Sequence, residues 1–320
     1  MNTQSTLNKI NAALLALAFG TLHAVATDGT WNLNGNGNWS TESNWVGDQI
    51  ADGVGATATF TIGESGNRTY TIDDTSRTLG TLIWGQNRSI HIASSGGAVL
   101  VLDNNGSPSQ VTLTTAAGNS LYVDASIQLN GSLNITNQKN ADSAKHIDFQ
   151  STGGTLTNIS SGPVTITNNG GGTVNFWGTI ADGPNGSVSI VQQAGSGIYA
   201  LTLAGSNSYT GTTTVSAGAL KLSGAFTNNI ASSPTINVAG GALLDVSGLT
   251  GGTLVLAAGQ SLQGSGTVTG SLNGGTNGIV APGAATGLLT VSGGANLATG
   301  SLAIAIDDTQ SPQCLSLIHI

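Results

Sequence analysis

Side chains capable of acid–base chemistry gather in only two places along this 320-residue chain. Asp73 and Asp74 lie shortly before Arg77. The second group is the stretch KNADSAKHIDF, which contains Lys139, Asp142, Lys145, His146 and Asp148. Clustered carboxylates can bind Ca²⁺, and a Lys or Arg beside them can act as a base. Either group could therefore serve a polysaccharide lyase or hydrolase built on an elongated β-structure.

A structural interpretation competes with this one, and we favour it. The second group has the composition of a solvated loop that leads into a strand. His91 alternates with Ile90 and Ile92, so it faces solvent or a neighbouring ladder, and a lone His is a weak ligand signal. The motifs H-x-x-x-H, C-x-x-C and G-x-S-x-G are absent from the sequence. We therefore assign no catalytic, cofactor-binding or metal-binding residue and expect no enzymatic activity.

The composition predicts thin layers rather than one thick core. The chain has 48 Gly, 7% charged and 4% aromatic residues, with 38% hydrophobic residues. A typical globular domain has about 25% charged residues and about 7% Gly. The net charge is −8, and the seven Lys and Arg residues form no basic cluster, so we expect no nucleic-acid partner.

Short runs of alternating polar and aliphatic residues, typical of β-strands, follow one another from Thr57 onward. Examples are TATFTI (57–62), VTLTT (111–115) and TVNFW (173–177), and Gly, Asn, Ser and Asp separate the runs. The inward positions are mostly Val, Leu, Ile and Ala, which can stack like on like. We therefore predict a parallel β-helix of about a dozen coils, each of about 20 residues, with a β-sandwich as the alternative.

Three of the five Trp residues, Trp31, Trp39 and Trp45, lie between Gly29 and Trp45. A solenoid has exposed ends that invite edge-to-edge association, so a cap is expected. We favour a cap in which the indoles cover the first coil. A sugar-binding platform, on which pyranose rings stack, is the alternative.

The two ends of the sequence differ from the rest. Lys9, the apolar run 10–22 and the small residues of AVA (24–26) predict a signal peptide over 1–26, with an uncleaved membrane anchor as the alternative. The only cysteine is Cys314, so no internal disulfide is possible. The tail CLSLIHI (314–320) looks like a translated sequencing adapter. On that interpretation the native chain continues beyond about Gln313. The alternative is a genuine terminal strand, and we assign no function to Cys314 or His319.

The segment LTLAGSNSYTGTTTVSAGALKL (201–222) closely resembles the autotransporter-associated β-strand repeat. The matching residues are Leu201, Leu203, Gly205, Asn207, Tyr209, Thr210, Gly211, Thr213, Val215, Gly218 and Leu220. The Trp-rich stretch 29–60 is similar to the N-terminal segment of that family. The stretch 270–308 is similar to its final coils, through Gly278, Pro282, Gly283, Gly287, Leu289 and Val291.

The resemblance implies a right-handed parallel β-helix that is secreted or displayed on the outer surface of a Gram-negative-like bacterium. We divide the chain into a signal peptide (1–26), a Trp-rich cap (27–56), a β-solenoid (57–313) with the repeat at 201–222, and a non-native tail (314–320). The expected function is structural or adhesive, and the alternative is a polysaccharide-binding or polysaccharide-degrading β-helix. Glycans, matrix or other cell surfaces are the expected partners. No transmembrane span is predicted in the mature fragment, and an anchor or translocator is expected only beyond it.

Overall fold

A computed structural model of the protein describes residues 26–63, 66–139, 145–151, 153–194, 200–283, 287–304, 306–307 and 314–315. Residues 1–25, which include nearly all of the predicted signal peptide, lie outside the described residues. The described residues form β-strands, with three single-turn 3-10 helices at Glu42–Asn44, Val46–Asp48 and Thr250–Gly252. No described helix is long and apolar enough to cross a membrane.

The strands are short, as the alternating runs predict. The first are β1 (Gly29–Thr30), β2 (Gly37–Asn38), β3 (Thr57–Phe60), β4 (Arg68–Ile72), β5 (Arg77–Leu79), β6 (Thr81–Trp84), β7 (Ile90–Ser94), β8 (Leu100–Leu102), β9 (Ser109–Leu113), β10 (Leu121–Val123) and β11 (Ile127–Leu129). Next come β12 (Leu133–Asn137), β13 (His146–Phe149), β14 (Thr155–Asn158), β15 (Val164–Asn168), β16 (Thr173–Phe176), β17 (Thr179–Ala181), β18 (Val188–Gln192), β19 (Ala200–Leu203), β20 (Thr213–Val215), β21 (Ala219–Ser223) and β22 (Thr235–Val238). The last are β23 (Leu243–Gly248), β24 (Thr253–Val255), β25 (Ser261–Gly264), β26 (Thr267–Thr269), β27 (Ser271–Asn273), β28 (Ile279–Pro282), β29 (Thr290–Val291), β30 (Ala295–Asn296), β31 (Ser301–Leu302), β32 (Ile306–Asp307) and β33 (Cys314–Leu315).

These strands stack into the faces of a solenoid. One face is a 12-stranded sheet in the order β1-β3-β6-β9-β12-β15-β18-β20-β22-β25-β28-β31. The next is an 11-stranded sheet in the order β2-β4-β7-β10-β13-β16-β19-β21-β23-β26-β29. A third face has a five-stranded and a three-stranded sheet, β5-β8-β11-β14-β17 and β24-β27-β30. All these pairings are parallel, and only β32 and β33 pair antiparallel among the described strands.

The architecture is thus the predicted parallel β-helix and not the alternative sandwich. The coil is right-handed, as connections between parallel strands almost always are. Coil length varies along the 12-stranded sheet. The step from Leu262 to its partner Val280 in the next coil is short, whereas the step from Leu133 to its partner Ile166 is almost twice as long. The predicted length of about 20 residues for every coil is therefore too uniform. Twelve rungs at about 4.8 Å give a rod about 53 Å long.

Like side chains stack in columns inside the coil. Ile166, Ile190, Ile236 and Leu262 are all buried and succeed one another in register, with Thr213 between the second and the third. Phe149 and Phe176 stack with ring centroids 4.6 Å apart and planes inclined by 9°. Each column therefore buries apolar surface along the rod, which is the main stabilising term of such a fold.

The Trp-rich segment packs against the first coil. Trp31, Trp39 and Trp45 are at most 1% exposed. Each indole N–H donates to a backbone carbonyl, those of Leu33, Ala51 and Trp39 respectively, at 2.9–3.0 Å. The Trp31 ring lies 4.2 Å from that of Tyr70 and 6.2 Å from that of Phe60. These rings pack together beside β1 and β2, the terminal strands of the two long sheets, and the cap over 27–56 stays a prediction.

Candidate functional site on the outer face of the 11-stranded sheet

One cluster of chemically capable side chains emerges on the outer face of the 11-stranded sheet. We call it the aromatic–acidic surface, and it consists of His91, Tyr122, Asp124, His146, Asp148, Asn175 and Trp177. Parallel register places His91 beside Tyr122, Tyr122 beside Asp148, and Asp148 beside Asn175. Because side chains alternate along a strand, these register partners all point outward, while their neighbours point into the core.

Tyr122 lies between the two histidines. The His91 ring stacks on it, with centroids 4.4 Å apart and planes inclined by 7°. The His146 ring meets it edge-on at 5.5 Å and 90°, and His146 Nε2 lies 3.2 Å from the Tyr122 hydroxyl. Burial, together with the negative charge of Asp148, raises the pKa of the Tyr122 phenol. The phenol therefore stays protonated at neutral pH and can act as a hydrogen-bond donor.

Asp148 lies at the end of the cluster where the ring of Trp177 is exposed. Its Oδ1 accepts a hydrogen bond from Asn175 Nδ2 at 2.7 Å, and its Oδ2 accepts one from Trp177 Nε1 at 3.0 Å. His146 Nε2 lies 3.5 Å from the same Oδ2. The Asp148 side chain is only 8% exposed, whereas Trp177 is 46% exposed. The carboxylate thus fixes the orientation of an indole ring that faces solvent.

Asp124 plays the same positioning role at the other end. Its Oδ2 lies 2.5 Å from His91 Nδ1, and Ser151 Oγ donates to its Oδ1. The Asp124 side chain is 7% exposed and the His91 side chain is 37% exposed. Both ends of the surface therefore pair a largely buried carboxylate with a more exposed ring.

This arrangement is suited to binding rather than to metal chemistry. Within the residues that the structure describes, no group of three or more His, Cys, Asp or Glu side chains could hold a metal ion. The rings offer apolar faces, and the carboxylates and imidazoles offer hydrogen bonds at the ring edges. Such a combination recognises a ligand that has both apolar faces and many hydroxyl groups.

The first sequence-predicted group, Asp73–Arg77, has structural contacts instead. Asp73 accepts hydrogen bonds from the backbone N–H and the hydroxyl of Ser40, at 3.1 and 2.8 Å. The Arg77 guanidinium donates to Asp52 at 3.0 Å and to Asp74. Asp52 also accepts hydrogen bonds from two backbone N–H groups at 2.9 Å. These contacts attach the Trp-rich segment to the first coils.

The second group is divided between the surface and a loop. His146 and Asp148 lie on β13 and join the aromatic–acidic surface, while Lys139 Nζ donates to the Thr115 carbonyl. Asp142 lies outside the described residues. The backbone carbonyl of Lys145 accepts from Asn137 Nδ2 at 3.0 Å. Lys139 thus bonds to the preceding coil, whereas His146 and Asp148 belong to the aromatic–acidic surface.

Four members of the surface were not predicted from the sequence: Tyr122, Asp124, Asn175 and Trp177. A signal was available for Trp177, because in TVNFW the aliphatic Val174 and the aromatic Phe176 take the inward positions. That parity sends Asn175 and Trp177 outward. The sugar-platform interpretation of Trp31, Trp39 and Trp45 has no support, because these indoles are buried and expose no face.

The repeat at 201–222 uses its residues for packing. Leu201, Leu203, Val215 and Leu220 are fully buried. Asn207 Oδ1 accepts from the Ile180 N–H of the preceding coil at 3.0 Å, and its Nδ2 donates to the Gly205 carbonyl at 3.0 Å. These bonds stand in for a third-face strand, which the described residues 204–212 do not form.

Glycine is required in the repeat for two reasons. A Cβ at Gly205 would lie 1.8 Å from the Gly178 carbonyl oxygen, so the neighbouring coil leaves no space for one. Gly218 has a φ of +68°, a conformation that glycine adopts without steric cost.

Tyr209, one of the matching residues of the repeat, lies inside the coil and not at its edge. It is buried, and its hydroxyl lies 2.7 Å from Thr213 Oγ1, which in turn lies 2.9 Å from Ser233 Oγ. Burial raises the pKa of the Tyr209 phenol well above its ordinary value. The phenol therefore stays neutral inside the coil, where this chain of hydroxyls satisfies it.

Comparison with known proteins supports the family assignment of the repeat. Residues 193–222 match the family model of the passenger-associated-transport-repeat, and this range contains the segment 201–222. Neither the curated proteins nor the solved structures gave a significant match. The chain therefore carries a transport-associated repeat of the autotransporter passenger type within a parallel β-helix.

Proposed function

We propose that this protein is a structural or adhesive scaffold, secreted or displayed on a bacterial surface, and that it has no catalytic activity of its own. The observation that carries the proposal is the use made of the transport-repeat residues. Its aliphatic residues are buried, and Asn207, Tyr209 and Thr213 make hydrogen bonds within or between coils. Residues that only build the rod leave its outer face free to present side chains to a surface or a partner.

The transport-repeat match supports an extracellular location, because a passenger is by definition the exported part of an autotransporter-type protein. A fold held by parallel hydrogen bonding and stacked aliphatic columns is also compatible with export. Its coils contact mainly their neighbours, so the chain can fold progressively once it has crossed a membrane.

The direct test measures both the location of the protein and its catalytic activity on polysaccharides. The full chain is expressed in a Gram-negative host, and its exposure is measured by protease treatment of intact cells and by fractionation. The purified protein is then incubated with a panel of polysaccharides, and reducing ends and unsaturated products are measured. We expect extracellular protein and no turnover. Turnover that is lost in His146→Ala or Asp148→Ala would overturn the non-catalytic assignment.

A further inference from the structure

The aromatic–acidic surface has a geometry that a purely structural face does not need. Trp177 is 46% exposed, whereas the other four Trp residues, Trp31, Trp39, Trp45 and Trp84, are at most 1% exposed. The indole N–H of this half-exposed ring could donate to water, yet Asp148 accepts it in a 3.0 Å hydrogen bond. A side chain held rigid in solvent has already lost the entropy that binding would otherwise cost.

We propose that this surface binds an uncharged oligosaccharide, which stacks a pyranose ring on Trp177 and hydrogen-bonds to the polar edges of the stacked Tyr122–His91 pair. The two aromatic positions lie on rungs that are about 10 Å apart, because one rung separates the Tyr122 row from the Asn175 row. An extended sugar chain can therefore contact both positions by running along the axis of the rod.

The polar groups beside the rings are those that hydroxyl groups require. Asp148 and Asp124 accept hydrogen bonds, and each carboxylate oxygen can accept more than one. The Tyr122 phenol and the imidazoles of His91 and His146 lie next to them. A ligand with a hydroxyl on nearly every ring carbon can use these groups, while its C–H face covers the Trp177 ring.

Charge determines which class of glycan fits. The surface contains two carboxylates, Asp124 and Asp148, and the whole chain has a formal net charge of −8. This charge repels uronic-acid polymers and other polyanions. An uncharged glycan suffers no such repulsion, so we assign that class and not an acidic polysaccharide.

A protein partner fits this surface less well than a glycan. Protein interfaces depend on aromatic anchors within a desolvated apolar patch. Here the outward register partners that continue from Asn175 are Thr202, Lys221 and Asp245, all of them polar. A lone exposed indole within a row of polar side chains resembles a sugar subsite more than the centre of a protein interface.

The test uses the fact that only one indole is accessible. Acrylamide quenching of tryptophan emission in the full chain should detect Trp177 and spare the four buried indoles. The protein is titrated with soluble cello-, xylo- and chito-oligosaccharides and, separately, with oligogalacturonate. We expect at least one uncharged series to protect the emission from quenching and oligogalacturonate to bind at least about tenfold more weakly. Trp177→Ala should weaken binding about tenfold or more, measured by calorimetry.

Three variants make the result specific. Trp177→Phe keeps a ring and should retain part of the affinity. Asp148→Asn should loosen the indole, raise its quenching rate without ligand and weaken binding. Lys221→Ala lies two rungs beyond the Asn175 row on the same face and should bind as the wild type does. Cooperative thermal unfolding of Trp177→Ala would show that the fold is intact.

The proposal is overturned if no uncharged oligosaccharide protects Trp177, if Trp177→Ala binds as tightly as the wild type, or if oligogalacturonate binds equally well. The site goes beyond the scaffold function, and the two fail separately. Cleavage of a bound oligosaccharide would refute the non-catalytic assignment and leave the binding site in place. Absence of binding would remove the site and leave the scaffold in place.

Discussion

The N-terminal segment and the outer face of the 11-stranded sheet both use aromatic side chains. The N-terminal segment points them into the core, whereas the outer face points them toward solvent. In the N-terminal segment the indole N–H groups donate to backbone carbonyls, and the rings are buried. On the outer face the indole N–H of Trp177 donates to a carboxylate, and the ring is exposed. The first arrangement buries its rings in the core, whereas the second holds one ring partly in solvent.

The acceptor of the indole N–H group distinguishes these two roles. For the buried Trp31, Trp39 and Trp45, the nearby backbone provides acceptors that keep the indole N–H groups satisfied. An exposed Trp could donate to water. The bond of Trp177 to Asp148, a carboxylate that is itself largely buried, therefore serves orientation rather than satisfaction.

The strongest effect that we expect separates the two clusters by stability. Trp39→Ala removes a fully buried ring that contacts Trp45 and Phe60, so we expect a loss of about 3–5 kcal/mol in the free energy of unfolding. Trp177→Ala, the matched control, removes a half-exposed ring and one hydrogen bond to Asp148, so it should cost only about 1 kcal/mol. Denaturant titration of both variants measures the difference. Equal losses would contradict the division into core rings and solvent-facing rings.

A smaller effect concerns the carboxylate beneath the exposed ring. Asp148→Ala removes the acceptor of both Asn175 and Trp177, so we expect a loss of about 1–2 kcal/mol. The exposed indole should also lose its orientation, which a lower fluorescence anisotropy of the accessible fraction would report. An unchanged anisotropy would mean that packing, rather than Asp148, orients Trp177.

Tyr209 in the repeat is intermediate between the two clusters. Its ring is buried, as the rings of the N-terminal segment are, but its hydroxyl bonds to a side chain, as the indole of Trp177 does. Tyr209→Phe removes the hydroxyl that contacts Thr213 and keeps the ring. We expect a loss of about 1 kcal/mol, since Thr213 keeps its contact with Ser233. Thermal unfolding measures it, with Tyr122→Phe on the outer face as the control. A loss as large as that of Trp39→Ala would show that the ring itself had shifted.

The weakest effect tests how the N-terminal segment is attached to the solenoid. Although partial desolvation opposes it, hydrogen bonds from the Thr75 backbone and from Arg77 lower the pKa of Asp74 below its ordinary value of 3.8. A lowered pKa stabilises the folded state above the ordinary value, and this contribution disappears as the pH falls through the lowered one. Because the Asp74 side chain is 45% exposed, we expect at most about 1 kcal/mol.

Asp74→Asn should therefore destabilise the protein slightly at pH 7, and the difference from the wild type should shrink below about pH 4. Unfolding midpoints measured from pH 7 down to pH 2 check this. A difference that stays constant over the whole range would mean that the ionised carboxylate of Asp74 contributes nothing.

Much of the fold could be predicted from the sequence because its signals are local. Alternation over a few residues, as in TATFTI, sets the inward and outward faces of a strand and does so in every coil. Several strands were not predicted, among them β10 and β14, because their alternation is too short to detect. The transport repeat was found because many of its residues match the family pattern within the single window 201–222.

The candidate site could be predicted only in part. His146 and Asp148 were found as neighbours in the sequence, but their partners Tyr122 and Trp177 lie one coil before and one coil after them. The amino group of Lys139 bonds to the Thr115 carbonyl, and the loop interpretation of the rest of that stretch stays a prediction. The Asp73–Arg77 group was considered as a site, but its charges contact Ser40 and Asp52 and attach the N-terminal segment to the first coils.

The order of amino acids was sufficient to establish the β-structure, the parity of many strands, the aliphatic columns and the transport repeat, because these depend on spacings of a few residues. It could not establish which outward side chains meet. Because the coils differ in length, a sequence pattern does not show which residues of successive coils are paired. The register that sets Tyr122 beside His91 and Asp148 depends on hydrogen bonding between coils. That three-dimensional register turns scattered His, Tyr, Asp and Trp residues into one surface.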